Sequence, residues 1–200
     1  MKSIFKYIIE PKKGRYNNST KIGGKEFIIN TDIFNFQYIS REGVVLATPS
    51  AIDSPIKVGT EVIIHHNVFR RWHDIRGNEK NSMAFIEEDK YACSPDQIFM
   101  YKDNGAWKGI DGYCFVSPVK NKDKFEIKNE HSQVGILEVG NETLTKLGVN
   151  EGDVVGFLPS SEYEFIVDGR LMYRMSVEDI CMTLERDKYK GYQPELPEIF

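Results

Sequence analysis

Four short runs in the first half of the chain return, in the same order, in the second. Tyr7-Ile8-Ile9-Glu10-Pro11 is echoed by Cys114-Phe115-Val116-Ser117-Pro118, and Gly43-Val44-Val45-Leu46-Ala47 by Gly135-Ile136-Leu137-Glu138-Val139. Val58-Gly59-Thr60-Glu61-Val62-Ile63-Ile64 is echoed by Glu151-Gly152-Asp153-Val154-Val155-Gly156-Phe157, and Ser94-Pro95-Asp96-Gln97-Ile98 by Ser176-Val177-Glu178-Asp179-Ile180. A pattern repeated in this way requires two related units, and the β-branched and aromatic runs punctuated by Gly, Pro, Asn and Asp make those units β. The copies are unequal. From Pro11 to Gly43 is 32 residues but from Pro118 to Gly135 only 17, and from Gly59 to Ile98 is 39 against 28 from Gly152 to Ile180.

The fold class expected is all-β, as two small β-barrels in tandem. Residues 1–104 form the first unit, with one insertion at 13–31 and an extended hairpin region at 65–89. Residues 105–185 form the second, and 186–200, which lose the alternating pattern and carry Pro194 and Pro197, read as a tail. Lys102-Asp103-Asn104-Gly105 reads as a short joint. Tyr163 to Tyr173 reads as a hairpin turning at Asp168-Gly169, a pair that tolerates positive backbone dihedrals, and Glu142 to Leu147 as a short helical turn closing at Gly148.

A chain of 200 residues with 40% hydrophobic and 28% charged residues has the composition of a globular protein, and its net charge of −4 gives no bulk attraction to nucleic acid or anionic lipid. The three cysteines, Cys93, Cys114 and Cys181, are odd in number and far apart, which argues against a disulfide framework and fits a reducing, cytoplasmic setting. No run of about 18 apolar residues occurs, so no membrane partner is expected.

The chain has no G-x-G-x-x-G, Walker loop, G-x-S-x-G or H-E-x-x-H pattern, and Glu162, Glu164, Glu178 and Asp179 read as solvated strand and turn carboxylates. No enzyme activity, catalytic residue or cofactor is expected. His65-His66 with His73 invites a metal site, but neighbours on a strand face opposite ways and no Cys or carboxylate completes the set, so no metal is expected either. Asn67 to Arg76 mixes arginine with aromatics. Such a run serves single-strand stacking or a protein interface, and the acidic balance with Glu87-Glu88-Asp89 close by favours the interface. Phe69, Arg70, Arg71 and Trp72 are its candidate residues, and nucleic acid is not an expected partner.

The order of the repeated pieces resembles the GroES, or chaperonin 10, co-chaperonin family. There an opening strand is followed by a flexible loop, a G-x-V-L-x-V-G strand, a V-G-D-x-V-x-F strand, an acidic hairpin and a closing D-I-L segment; most of residues 4 to 184 follow this plan twice. The resemblance implies a tandem GroES-like chain that assembles as a homo-oligomeric ring, a heptamer in the family, and caps an ATP-driven GroEL-type chaperonin to assist protein folding. It also implies that the first insertion is the family's mobile loop, with Gly14, Gly23 and Gly24 as its glycines and Phe27, Ile28 and Ile29 as the tripeptide that docks on the chaperonin. The second copy has no such loop. The rival reading is a non-catalytic structural protein of a viral or other large assembly that reuses this fold, with Phe27 to Ile29 buried inside that assembly.

Overall fold

The structure is a computed structural model that describes residues 1–17, 19–28, 35–120 and 130–189. In chain order its elements are β1 (Tyr7–Pro11), β2 (Ser19–Ile22), β3 (Lys25–Ile28), β4 (Glu42–Ala47), β5 (Glu61–Ile64), β6 (Arg71–His73), β7 (Glu79–Asn81), β8 (Phe85–Glu87), β9 (Lys90–Cys93), β10 (Ile98–Asp103) and β11 (Ala106–Gly109). There follow β12 (Tyr113–Lys120), β13 (Glu130–Val139), α1 (Glu142–Lys146), β14 (Val154–Phe157), β15 (Tyr163–Val167), β16 (Arg170–Ser176) and β17 (Ile180–Leu184), with single 3-10 turns between some strands. Among the described residues the chain is thus all-β apart from one short helix, and the paired strands of its sheets run antiparallel. Two compact units divide it, Met1–Ala106 and Trp107–Phe200, the division falling inside β11. Lys102-Asp103-Asn104-Gly105, expected to be a joint, lies immediately before that division, and its Asn104 and Gly105 take positive φ.

The repeat in the sequence is a repeat of topology. Six strands of the first sheet follow the order β10-β5-β4-β1-β9-β8, and the second sheet follows β17-β14-β13-β12-β16-β15, so each strand has its counterpart in the same place. Two of the irregularities match as well. The register slips between Ile8 and Ile9 in β1 and between Phe115 and Val116 in β12, and again where β10 meets β5 and β17 meets β14. Bulges are conformational decisions as much as strands are, so their recurrence marks one backbone plan used twice. Neither sheet closes on itself among the described residues.

Each core follows from alternation. In β4, Gly43, Val45 and Ala47 point inward, and in β13 Gly135, Leu137 and Val139 do the same. Ile9, Val62, Ile64, Tyr91 and Met100 complete the first core, and Cys114, Val116, Leu144, Val155, Phe157 and Met175 pack together in the second. Each such side chain stabilises its unit by about 1.5–3 kcal/mol. Close approach requires the inward glycine of β13, since a Cβ on Gly135 would meet Val116 Cγ1 at 2.2 Å and the Ser117 carbonyl oxygen at 2.7 Å; at Gly43 of β4 the fit is tight, with the Glu10 carbonyl oxygen at 3.2 Å from a Cβ.

One row of the plan changes character between the copies. In the first unit the Lys12 ammonium bridges Glu42 (3.2 Å) and Glu61 (2.9 Å), and Lys102 joins Glu61 at 3.3 Å. The hydrogen bond from Lys12, helped by Lys102, holds the Glu61 carboxyl below its usual range. The repeat places Val119, Val134, Val154 and Leu184 at the corresponding positions, with Val119 and Val154 buried.

In the second unit α1 is capped by Asn141, whose side chain accepts from the Leu144 N–H, and stops at Gly148 with φ +81°. Trp107 donates its indole N–H to Asp168 Oδ2 at 2.8 Å, tying the start of this unit to the β15–β16 turn. No helix among the described residues is long and apolar enough to cross a membrane.

Candidate functional site

Both insertions belong to the first unit, and each leaves the sheet through a closed root. The first departs after β1, and a ladder shuts it: Asn17 N–H donates to the Tyr38 carbonyl (2.7 Å) and Ser40 N–H to the Arg15 carbonyl (2.9 Å), with Tyr16 bridged to buried Ile39. Beyond this root β2 and β3 form a two-stranded sheet of their own, paired from Ser19 opposite Ile28 to Ile22 opposite Lys25. Gly23 and Gly24 make its turn with φ +59° and +79°, a pairing that suits the twist of a hairpin and that only glycine adopts without cost. Gly14, at φ +138°, sits just before the root. The expected loop is therefore β-structured where it is described. Phe27 is 48% and Ile28 68% exposed at the end of β3, while Ile29 lies outside the described residues.

The second insertion leaves at the end of β5. His65 and His66 do not continue that strand to opposite faces as expected; His65 caps a 3-10 turn through the Asn67 N–H, and the two imidazoles stack with centroids 4.4 Å apart. Val68 and Phe69 then enter the core, Phe69 meeting Tyr91 edge-on at 4.9 Å. β6 and β7 follow as a hairpin whose tip is organised by Asp74, which accepts the N–H groups of Arg76 and Asn78. Ser82 closes the root by donating its N–H to the Arg70 carbonyl and its hydroxyl to the Val68 carbonyl.

The four interface candidates are thereby separated. Phe69 is a core residue, because the chain must dip into the sheet to anchor an excursion of this length. Arg71 lies against the Tyr16 ring (4.6 Å) and pairs with Glu79 (3.1 Å). Arg70 and Trp72 reach the surface, beside a groove of about 610 Å³ that Lys6, Met83, Asp96 and Gln97 also line.

The two roots meet. Arg15, in the first, donates to the Phe69 carbonyl (3.2 Å), to Asn81 Oδ1 (2.8 Å) and to the Arg70 carbonyl (3.5 Å), and its guanidinium lies over the rings of Tyr91 (5.2 Å) and Phe85 (5.7 Å). Tyr16 accepts the Arg71 N–H at 2.8 Å. Sequence reasoning singled out neither Arg15 nor Asn81. They are 66 residues apart, and no periodicity or motif links two polar residues at that separation.

His66 also meets Phe36, in the segment between the first insertion and β4, at 5.6 Å. Burial, then His65, Arg41 and Arg70, lower its pKa to about 4. A histidine depressed in the fold stays neutral there while the unfolded chain takes up a proton near its ordinary value of about 6.5. Its contribution is therefore complete above about pH 6.5 and is lost as pH falls toward 4. Urea midpoints at pH 7.5 and 5 will differ more for the wild type than for His66→Gln if this group carries the slope.

Burial raises the Cys93 thiol and pushes Cys114 up to about 12, which keeps both protonated and poor as nucleophiles near neutrality. Among the described residues no three His, Cys, Asp or Glu side chains gather as metal ligands would. The arrangement is one of exposed apolar residues, Phe27 and Ile28, on a β arm with a fixed root. No family model matches the chain, and no curated protein matches it.

Proposed function

We propose that this protein is a co-chaperonin, a GroES-like tandem whose ring caps an ATP-driven chaperonin and docks through the β2–β3 arm. In this reading each unit is one small barrel of the tandem, seven copies close the ring in the cytoplasm, and nucleotide is hydrolysed by the partner. The observation that carries it is the exposure of Phe27 and Ile28, two adjacent large apolar side chains at the end of an arm outside the main sheet. Side chains of this kind on an arm are costly in water and gain about 1.5–3 kcal/mol each in a groove. Docking one arm is weak because the gain is offset by ordering, and a ring repairs this by engaging several arms at once.

The test is co-sedimentation with a GroEL-type ring in ATP. Wild type is expected to be retained, and Phe27→Ser with Ile28→Ser to lose at least about tenfold in retention, since roughly 1.4 kcal/mol per copy is a factor of ten. Equal retention of the variant would remove the arm from the contact. A protein that no chaperonin retains, yet that self-assembles with Phe27 and Ile28 protected, would favour the rival structural reading.

A further inference from the structure

We infer that Arg15 is a positioning residue that clamps the β2–β3 arm to the second insertion, so that the two excursions of the first unit act as one docking element. The inference takes from the proposed function only that the arm is what a partner protein binds.

Three observations converge on this residue. Its three acceptors come from positions 54, 55 and 66 residues away, all in the second insertion. Its flat face is supported by Tyr91 and Phe85, which belong to the sheet, so both insertions and the core meet at one guanidinium. Its own carbonyl accepts the Ser40 N–H, the bond that shuts the arm's root. A planar fork with five donors can satisfy several divergent acceptors while stacking on a ring; a lysine ammonium, a point donor, cannot do both. Tyr16 repeats the theme one residue on, bonded to the Arg71 N–H and lying under its guanidinium.

The physical consequence concerns entropy. Asn17 and Tyr38 delimit the arm, and holding those ends together before a partner arrives removes part of the ordering that docking would otherwise require. Docking strength should then depend on Arg15 although it lies outside the exposed tip. The effect repeats in every copy of a ring.

Hydrogen exchange on the free full-length protein tests the clamp without any partner. In Arg15→Lys the amides of Asn17, Ser40 and Arg71 are expected to exchange about tenfold faster, with Val45 and Leu137 unchanged. Asn81→Ala, a change at an exposed side chain that removes one acceptor, should give a smaller increase at the same three amides. Phe27→Ser should give none. Unchanged exchange in Arg15→Lys would overturn the proposal, as would acceleration at Val45 equal to that at Ser40, which would mean general loss of stability. Retention of the same variants by a GroEL-type ring in ATP then reads the consequence for docking: Arg15→Lys is expected to dissociate faster, and an unaltered dissociation rate would overturn the positioning role. Should wild type itself not be retained, the assignment of the partner fails while the exchange pattern still decides the clamp.

Discussion

Phe69→Ala is expected to destabilise the first unit by about 3–5 kcal/mol, the range for removing a large aromatic from a packed core. The ring is fully buried, meets Tyr91 edge-on, and fills the space over Gly43, where a Cβ would lie only 3.6 Å from its Cζ. Nothing small can replace it. A loss of that size is a large part of the roughly 5–15 kcal/mol that holds a typical domain together. Because its carbonyl is also an acceptor for Arg15, the damage should spread from the core to both insertions. Urea unfolding followed by circular dichroism, compared with Trp72→Ala on the exposed β6, checks the claim. A cost near that of Trp72→Ala would show that the second insertion is not anchored through Phe69.

Gly135→Ala should cost the second unit about 1–3 kcal/mol or more, by overpacking rather than by cavity. The added methyl meets a side-chain carbon at 2.2 Å and a carbonyl oxygen at 2.7 Å, and the oxygen cannot withdraw without parting β12 from β13. Gly43→Ala offers a control at the equivalent place of the other copy. There the nearest atom is a carbonyl oxygen at 3.2 Å, tight but open to adjustment by a few tenths of an ångström. The thermal midpoint should therefore fall clearly further for Gly135→Ala than for Gly43→Ala, and equal shifts would contradict the packing account.

The repeated runs made the paired strands legible because each run joins alternation to a glycine or proline that fixes where it begins. The β15–β16 hairpin was legible for the same reason, since Asp168-Gly169 announces its turn. Its counterpart β8–β9 was not. That turn is carried by Asp89 at φ +55° within Glu87-Glu88-Asp89-Lys90, an acidic run read as favouring an interface and holding no Asp-Gly pair to mark a turn. The split of Phe69 from Arg70 and Trp72 was hidden as well, because composition gives the residues of an interface and of a core anchor without the direction each side chain takes. Phe27 and Ile28 stood out as apolar residues on a polar, Gly-rich stretch. What holds their arm in place did not, since Arg15 finds its acceptors in distant segments through backbone carbonyls that any residue possesses.

The chain contains two tryptophans, and they fall one to each unit: Trp72 on the exposed face of β6, Trp107 hydrogen-bonded to Asp168. Each copy of the duplicated fold therefore carries a fluorophore of its own. In Trp107→Phe, emission reports β6 of the first unit, and in Trp72→Phe it reports Trp107 beside the β15–β16 turn, so the surroundings of each tryptophan can be followed separately by light. The same Trp72 signal, beside the groove on the second insertion, offers an optical test of the proposed docking.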